Sequence, residues 1–171
     1  MKAFSELFTA IDQSTKTTIK VNALADYFKA ADDADKLWTI ALFSGRRPKR
    51  AVTTTRLREW GAEVAGIPLW LFEECYPVVG DLAETIALVL PPNQTTDNRP
   101  LSQWINELRE VYKLEDEDKK AFVLYAWSRL GGTERFIFNK LITGGMRVGV
   151  SQKLMTRALA RATDREEAEL A

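Results

Sequence analysis

The spacing of an apolar helix stripe recurs along most of this chain, and it constrains the fold more than any other feature. Phe4, Leu7, Phe8 and Ile11 stand at i, i+3, i+4 and i+7, and Leu101, Trp104, Ile105 and Leu108 repeat the pattern. Looser versions cover Ile19 to Phe28, Leu37 to Phe43, Leu57 to Val64, Leu69 to Val79 and Leu82 to Leu90. Others cover Ala121 to Leu130, Phe136 to Ile142 and Leu154 to Ala162. A side chain recurring every third or fourth residue shares one face of a helix but alternates between the faces of a strand. Only short windows such as Arg147 to Val150 hint at extended backbone. The expectation is an all-α fold of roughly ten helices.

Boundary residues agree with that reading. Asp81 with Glu84 has the spacing of a capping box, and Ser151 can cap a later helix. Pro68 and Pro100 suit first-turn positions. The acidic-basic run Glu115 to Lys120 reads as a solvated helix N-terminus, its carboxylates favoured by the helix dipole. Leu90 to Pro100 (LPPNQTTDNRP) can continue neither flanking helix. It is expected to connect two helical lobes of one compact domain spanning residues 1–171.

Composition removes several classes of chemistry. The chain has no histidine, so Ser-His-Asp and Cys-His nucleophilic sites and histidine-ligated metals are excluded. A single cysteine, Cys75, allows neither an intrachain disulfide nor a cysteine-based zinc site. It suits a reducing cytoplasm and is expected to be a small buried apolar side chain. The carboxylates read as charged solvent faces, and no metal site is expected. Trp38, Trp60, Trp104 and Trp127 sit on apolar stripes and read as core, with Trp70 in a mixed segment. The longest apolar runs are far too short to span a bilayer, and the N-terminus starts an amphipathic helix rather than a signal peptide.

Net charge conceals a segregation. Lys+Arg and Asp+Glu both number 24, yet Ser44 to Arg58 and Arg135 to Thr163 hold no acidic residue and six basic residues each. Such sorting implies a basic face and an acidic face, and the natural partner of the basic one is a polyanion, nucleic acid first. In the first stretch, Gly45 and Pro48 mark a loop from which Arg46, Arg47, Lys49 and Arg50 must project. Thr53, Thr54 and Thr55 follow with hydroxyls suited to capping and phosphate contact. In the second, the string TGGMRVGVS runs from Thr143 to Ser151. Gly144, Gly145 and Gly149 permit close backbone approach, Thr143 and Ser151 offer hydroxyls, and Arg147 projects from the loop. Ser151 opens a helix whose free N–H groups attract anions, and Lys153 in its first turn opposes the dipole unless an anion neutralises it. The spacing is not that of a Walker A loop, so no nucleotide site is read here.

These residues carry a resemblance. Phe138 to Ala160 (FNKLITGGMRVGVSQKLMTRALA), together with Val78 to Leu90 and ALFSGRRPKR, resembles the N-terminal DNA-binding domain of ATP-dependent DNA ligases, most closely the bacterial branch. The resemblance spans essentially the whole chain. It implies an all-helical domain that grips duplex DNA around a nick, contacting phosphates mainly across the minor groove. The loop matching Thr143 to Ser151 would supply backbone amides and Arg147. Many relatives carry a second basic residue where this chain has Met146, and Arg46 to Arg50 would compensate. The lysine-adenylating K-x-D-G motif is absent, since no Asp-Gly dipeptide occurs. The chain itself is therefore expected to be non-catalytic and without cofactor. ATP and Mg2+ would serve a catalytic domain of the same polypeptide, which the closing string DREEAELA, read as an interrupted helix, also suggests. A cytoplasmic monomer is expected. The rival reading from another class is a helical protein-interaction module whose basic loops meet an acidic partner.

Overall fold

The computed structural model describes residues 1–95, 97–146 and 148–170. Among these residues there are eleven α-helices and no strand, as the periodicity predicts. They are α1 (Lys2–Asp12), α2 (Thr17–Ala30), α3 (Asp33–Phe43), α4 (Thr54–Ala65), α5 (Leu69–Val79) and α6 (Leu82–Val89). Then come α7 (Leu101–Val111), α8 (Asp116–Arg129), α9 (Gly132–Thr143), α10 (Gln152–Thr163) and α11 (Glu167–Leu170). The chain groups into two units. Unit 1 holds Met1–Arg47, Pro100–Ser102 and Gly145–Ala171; unit 2 holds Pro48–Arg99 and Gln103–Gly144. Leu90 to Arg99 thus runs within unit 2.

Unit 1 is built on the α1 stripe. Phe4, Leu7, Phe8 and Ile11 are all buried, as are Val21, Leu24 and Phe28 of α2, on which α1 packs, and Leu42 and Phe43 of α3. Phe4 stacks on Phe43 at 5.5 Å between ring centroids and meets Tyr27 edge-on at 6.5 Å. Tyr27 is buried with its hydroxyl 3.0 Å from Thr39 Oγ1, and burial pushes its pKa up to about 12. α10 packs along α2 through Leu154, Met155 and Ala158, all buried. Asp164 ends α10 in the left-handed conformation at φ 54°, and among the described residues the helix expected from DREEAELA covers Glu167–Leu170.

Unit 2 has an aromatic centre. Trp104 meets Phe138 edge-on at 5.7 Å and Phe122 at 6.3 Å. Fully buried Asn139 accepts from Trp127 Nε1 at 2.8 Å and donates to the Ala83 carbonyl at 3.2 Å, joining α8, α9 and α6. Most polar atoms placed this deep have such a partner; Trp104 Nε1 is an exception, buried with no hydrogen bond among the described residues. The helix ends follow the sequence signals: Asp81 Oδ1 accepts from Glu84 N at 2.9 Å, and Asp116, Glu117 and Asp118 fill the first turn of α8. Pro68 and Pro100 stand one residue earlier than expected, immediately before α5 and α7. Pro68 keeps an extended ψ of 148° while its carbonyl already accepts from Leu71 and Phe72, which makes it a cap rather than a first-turn residue.

α5 departs from expectation in its environment. Its bounds are those the periodicity gives, yet Phe72 is its one buried residue; Trp70 is 66% and Val78 87% exposed. Cys75, expected in the core, is half-buried: it lies one turn along from Phe72 on the same side of the helix, where burial is no longer complete.

Candidate functional site

The first basic loop is fixed at both ends. α3 closes with a Schellman motif: Arg46 N donates to the Ala41 carbonyl at 2.9 Å and Gly45 N to the Leu42 carbonyl at 3.1 Å. Gly45 takes φ 87° at the turn, a conformation costly for any other residue. Beyond it, buried Pro48, Ala51 and Val52 anchor the backbone while Arg46, Arg47, Lys49 and Arg50 are exposed. Thr53 Oγ1 then accepts from Arg56 N at 3.3 Å and opens α4. Among the described residues Arg46, Lys49 and Arg50 have no acidic partner; Lys49 Nζ lies 5.4 Å from the Tyr112 ring centroid. Arg46 and Arg47 belong to unit 1, Lys49 and Arg50 to unit 2.

The glycine-rich string begins where Gly144 ends α9 at φ 89°, donating to the Lys140 carbonyl at 2.8 Å. Thr143 and Gly144 belong to unit 2; Gly145, Gly149, Ser151 and Lys153 belong to unit 1. Arg147 lies outside the described residues. Its neighbours Met146 and Val148 are buried, at 4% and 8% exposure. Met146, standing where relatives are expected to carry a cation, is thus an apolar anchor of the loop. Gly149 is exposed at φ 67°. Ser151 Oγ caps α10 by accepting from Leu154 N at 3.1 Å. Among the described residues the N–H groups of Gly149, Val150, Ser151, Gln152 and Lys153 donate no hydrogen bond. Lys153 is exposed beside them with no acidic partner. Consecutive free amides at the positive end of a helix, with an unpaired cation, form an environment suited to anions.

The family model for the DNA ligase N terminus matches residues 1–160, which include both loops. The chain belongs to the DNA ligase N-terminal family. Comparison with curated proteins gives no match. Membership assigns the chain a part in DNA ligase function, the N-terminal portion of ATP-dependent enzymes of that kind.

Within this ligase N-terminal domain, pairing and burial remove much of the positive charge counted in the sequence. Arg56 bridges Glu59 at 3.1 Å and Asp116 at 3.0 Å, and those carboxylates hold its pKa above the ordinary value. Arg58 bridges Glu73 at 3.3 Å. In the second stretch Lys140 pairs with Asp81, and Arg157 lies 3.8 Å from Glu167. Arg135 is structural: only 5% exposed, it donates to the carbonyls of Leu130, Pro91 and Trp127 at 3.1, 2.8 and 2.6 Å. It ties the proline-rich segment to the C-terminus of α8. One residue that the sequence reading missed joins the glycine loop: Lys20 of α2, whose Nζ lies 3.5 Å from the Val148 carbonyl and 3.4 Å from that of Gly149. No local signal marks it, because the contact exists only once α2 and α10 have packed. Among the described residues no cluster of potential metal ligands occurs, and no helix is long and apolar enough to cross a membrane.

Proposed function

We propose that this chain binds duplex DNA without sequence preference, through phosphates on the minor-groove side around a nick. It would thereby position the nick for a catalytic domain of the same polypeptide, which would use ATP and Mg2+. The site residues are Arg46, Arg47, Lys49 and Arg50 of the first loop and Thr143, Gly144, Gly145, Arg147, Gly149, Ser151 and Lys153 of the second. Arg147 enters from the sequence alone.

What carries the reading is the run of unpartnered amides Gly149–Lys153 beside unpaired Lys153, in a chain of the ligase N-terminal family. Amides and unpaired cations suit phosphate oxygens, whereas base edges are read by side-chain amides and arginines set into a groove. The test is fluorescence anisotropy with labelled mixed-sequence duplexes, nicked and intact, over a range of salt. If about five to eight phosphates are neutralised, log affinity falls with log salt at a slope of roughly −4 to −7, alike for unrelated sequences. A slope near zero, or strong preference for one sequence, refutes the proposal.

A further inference from the structure

We infer that Lys20 is a positioning residue for the phosphate-binding amides of the glycine loop, acting through the carbonyls of Val148 and Gly149. The inference rests on the proposed DNA binding. Its starting observation is that one ammonium, from a helix far away in sequence, faces two successive carbonyls, at 3.5 and 3.4 Å. No cis peptide bond occurs among the described residues. In a trans peptide the C=O and the N–H of the same unit point in opposite directions. The peptide that carries the Val148 carbonyl also carries the Gly149 N–H, and the one with the Gly149 carbonyl carries the Val150 N–H. Drawing both carbonyls toward α2 therefore aims both N–H groups away from it. Those two amides are the first of the run that donates no hydrogen bond among the described residues.

The same contact explains Gly149. Two successive carbonyls can face one cation only if the backbone between them turns sharply, and Gly149 does so at φ 67°, in the left-handed region. A Cβ there would stand 3.1 Å from Lys20 Nζ, closer than side chains ordinarily approach. The positive φ is what favours glycine at 149; the flexible end of Lys20 would need to give by only a few tenths of an ångström to admit a Cβ. The distances from Nζ are those of a charge aligned with two carbonyl dipoles rather than of short hydrogen bonds. That suits a residue that sets loop geometry while remaining half-buried at the surface.

The experiment compares Lys20→Met, Lys20→Gln and the parent. Melting curves come first, then anisotropy with a mixed-sequence duplex across salt, then the 1H–15N shifts of Gly149 and Val150 without DNA. A positioning role predicts that Lys20→Met binds about tenfold more weakly with the salt slope unchanged, a loss equivalent to ~1.4 kcal/mol. Lys20→Gln, whose amide can still donate to the carbonyls, should stay within about threefold of the parent. In Lys20→Met both amide resonances should move even without DNA. Equal losses in the two variants with the slope reduced by about one unit would make Lys20 a direct phosphate contact and overturn the inference. Unmoved resonances in Lys20→Met, or parent-like binding by it, would also overturn it. Should Lys20→Met fail to fold, the Gln variant decides through the same slope and shifts. A parent that does not bind DNA refutes the proposed function, while the shift comparison still tests the clamp.

Discussion

Four arginines in the first acid-free stretch offer a test in which formal charge is constant and only the surroundings differ. Arg46 and Arg50 are exposed with no acidic partner among the described residues, whereas Arg56 and Arg58 are bridged to Glu59, Asp116 and Glu73. A cation already neutralised by a carboxylate releases few counterions from DNA, so the two pairs should contribute differently to salt dependence. Each phosphate neutralised lowers the slope of log affinity against log salt by about 0.9. Between about 50 and about 200 mM salt this amounts to roughly a 3.5-fold loss of affinity per contact. The double variant Arg46→Ala/Arg50→Ala should therefore flatten the slope by about two units and shrink the affinity span over that range by about twelvefold. Arg56→Ala/Arg58→Ala should leave the slope within about half a unit of the parent. Anisotropy with one duplex at several salt concentrations reads both, after melts establish that the variants are folded. If removing the bridged pair flattens the slope as much as removing the unpaired one, ion pairing does not decide which cations meet DNA, and the reasoning fails.

Other consequences concern the scaffold. Arg135→Met should lower stability in denaturant titrations by about 3 kcal/mol, since buried carbonyls lose their donor, while the folded variant keeps the parent's salt slope; a changed slope would make Arg135 a DNA contact. Asp97 is held down to about 2 by hydrogen bonds from Arg99, the largest cause, which favour its ionised form. The stability that this shift contributes is present above the usual carboxylate pKa and is lost as pH falls from about 4 to about 2. Asp97→Asn should therefore have a flatter stability profile in that window, and a profile parallel to the parent's would contradict the assignment. Trp70→Ser on exposed α5 should change stability by no more than about 0.5 kcal/mol, measured by the same titrations; a loss of several kcal/mol would mean that the indole is packed.

The stripes of α1 and α7 were legible because their apolar residues meet in one line, and all eight of Phe4, Leu7, Phe8, Ile11, Leu101, Trp104, Ile105 and Leu108 are buried. Capping by Asp81 and Ser151 was legible for the same reason: its partners lie three residues away. α5 marks the limit. Its spacing fixed the helix, but composition could not say that Leu69, Trp70 and Val78 would stay exposed. The acid-free stretches were real in the sequence, yet Arg56 finds Asp116 and Lys140 finds Asp81 only across the fold. Lys20 was illegible on the same ground. Exposure of the cations at 46, 47, 49 and 50 could be read because no local element could bury them all; that Arg46, Lys49 and Arg50 have no acidic partner among the described residues could not.

The central claim, that the loop amides meet DNA phosphates, is tested most directly by amide shift mapping. Titrating a short nicked duplex into 15N-labelled protein should move the resonances of Gly145 and of Gly149 through Lys153 first and farthest. Those of α5 and of the acidic start of α8 should hold still. Shifts concentrated on Leu69–Val79 or Asp116–Lys120, with the glycine loop unmoved, would contradict the account.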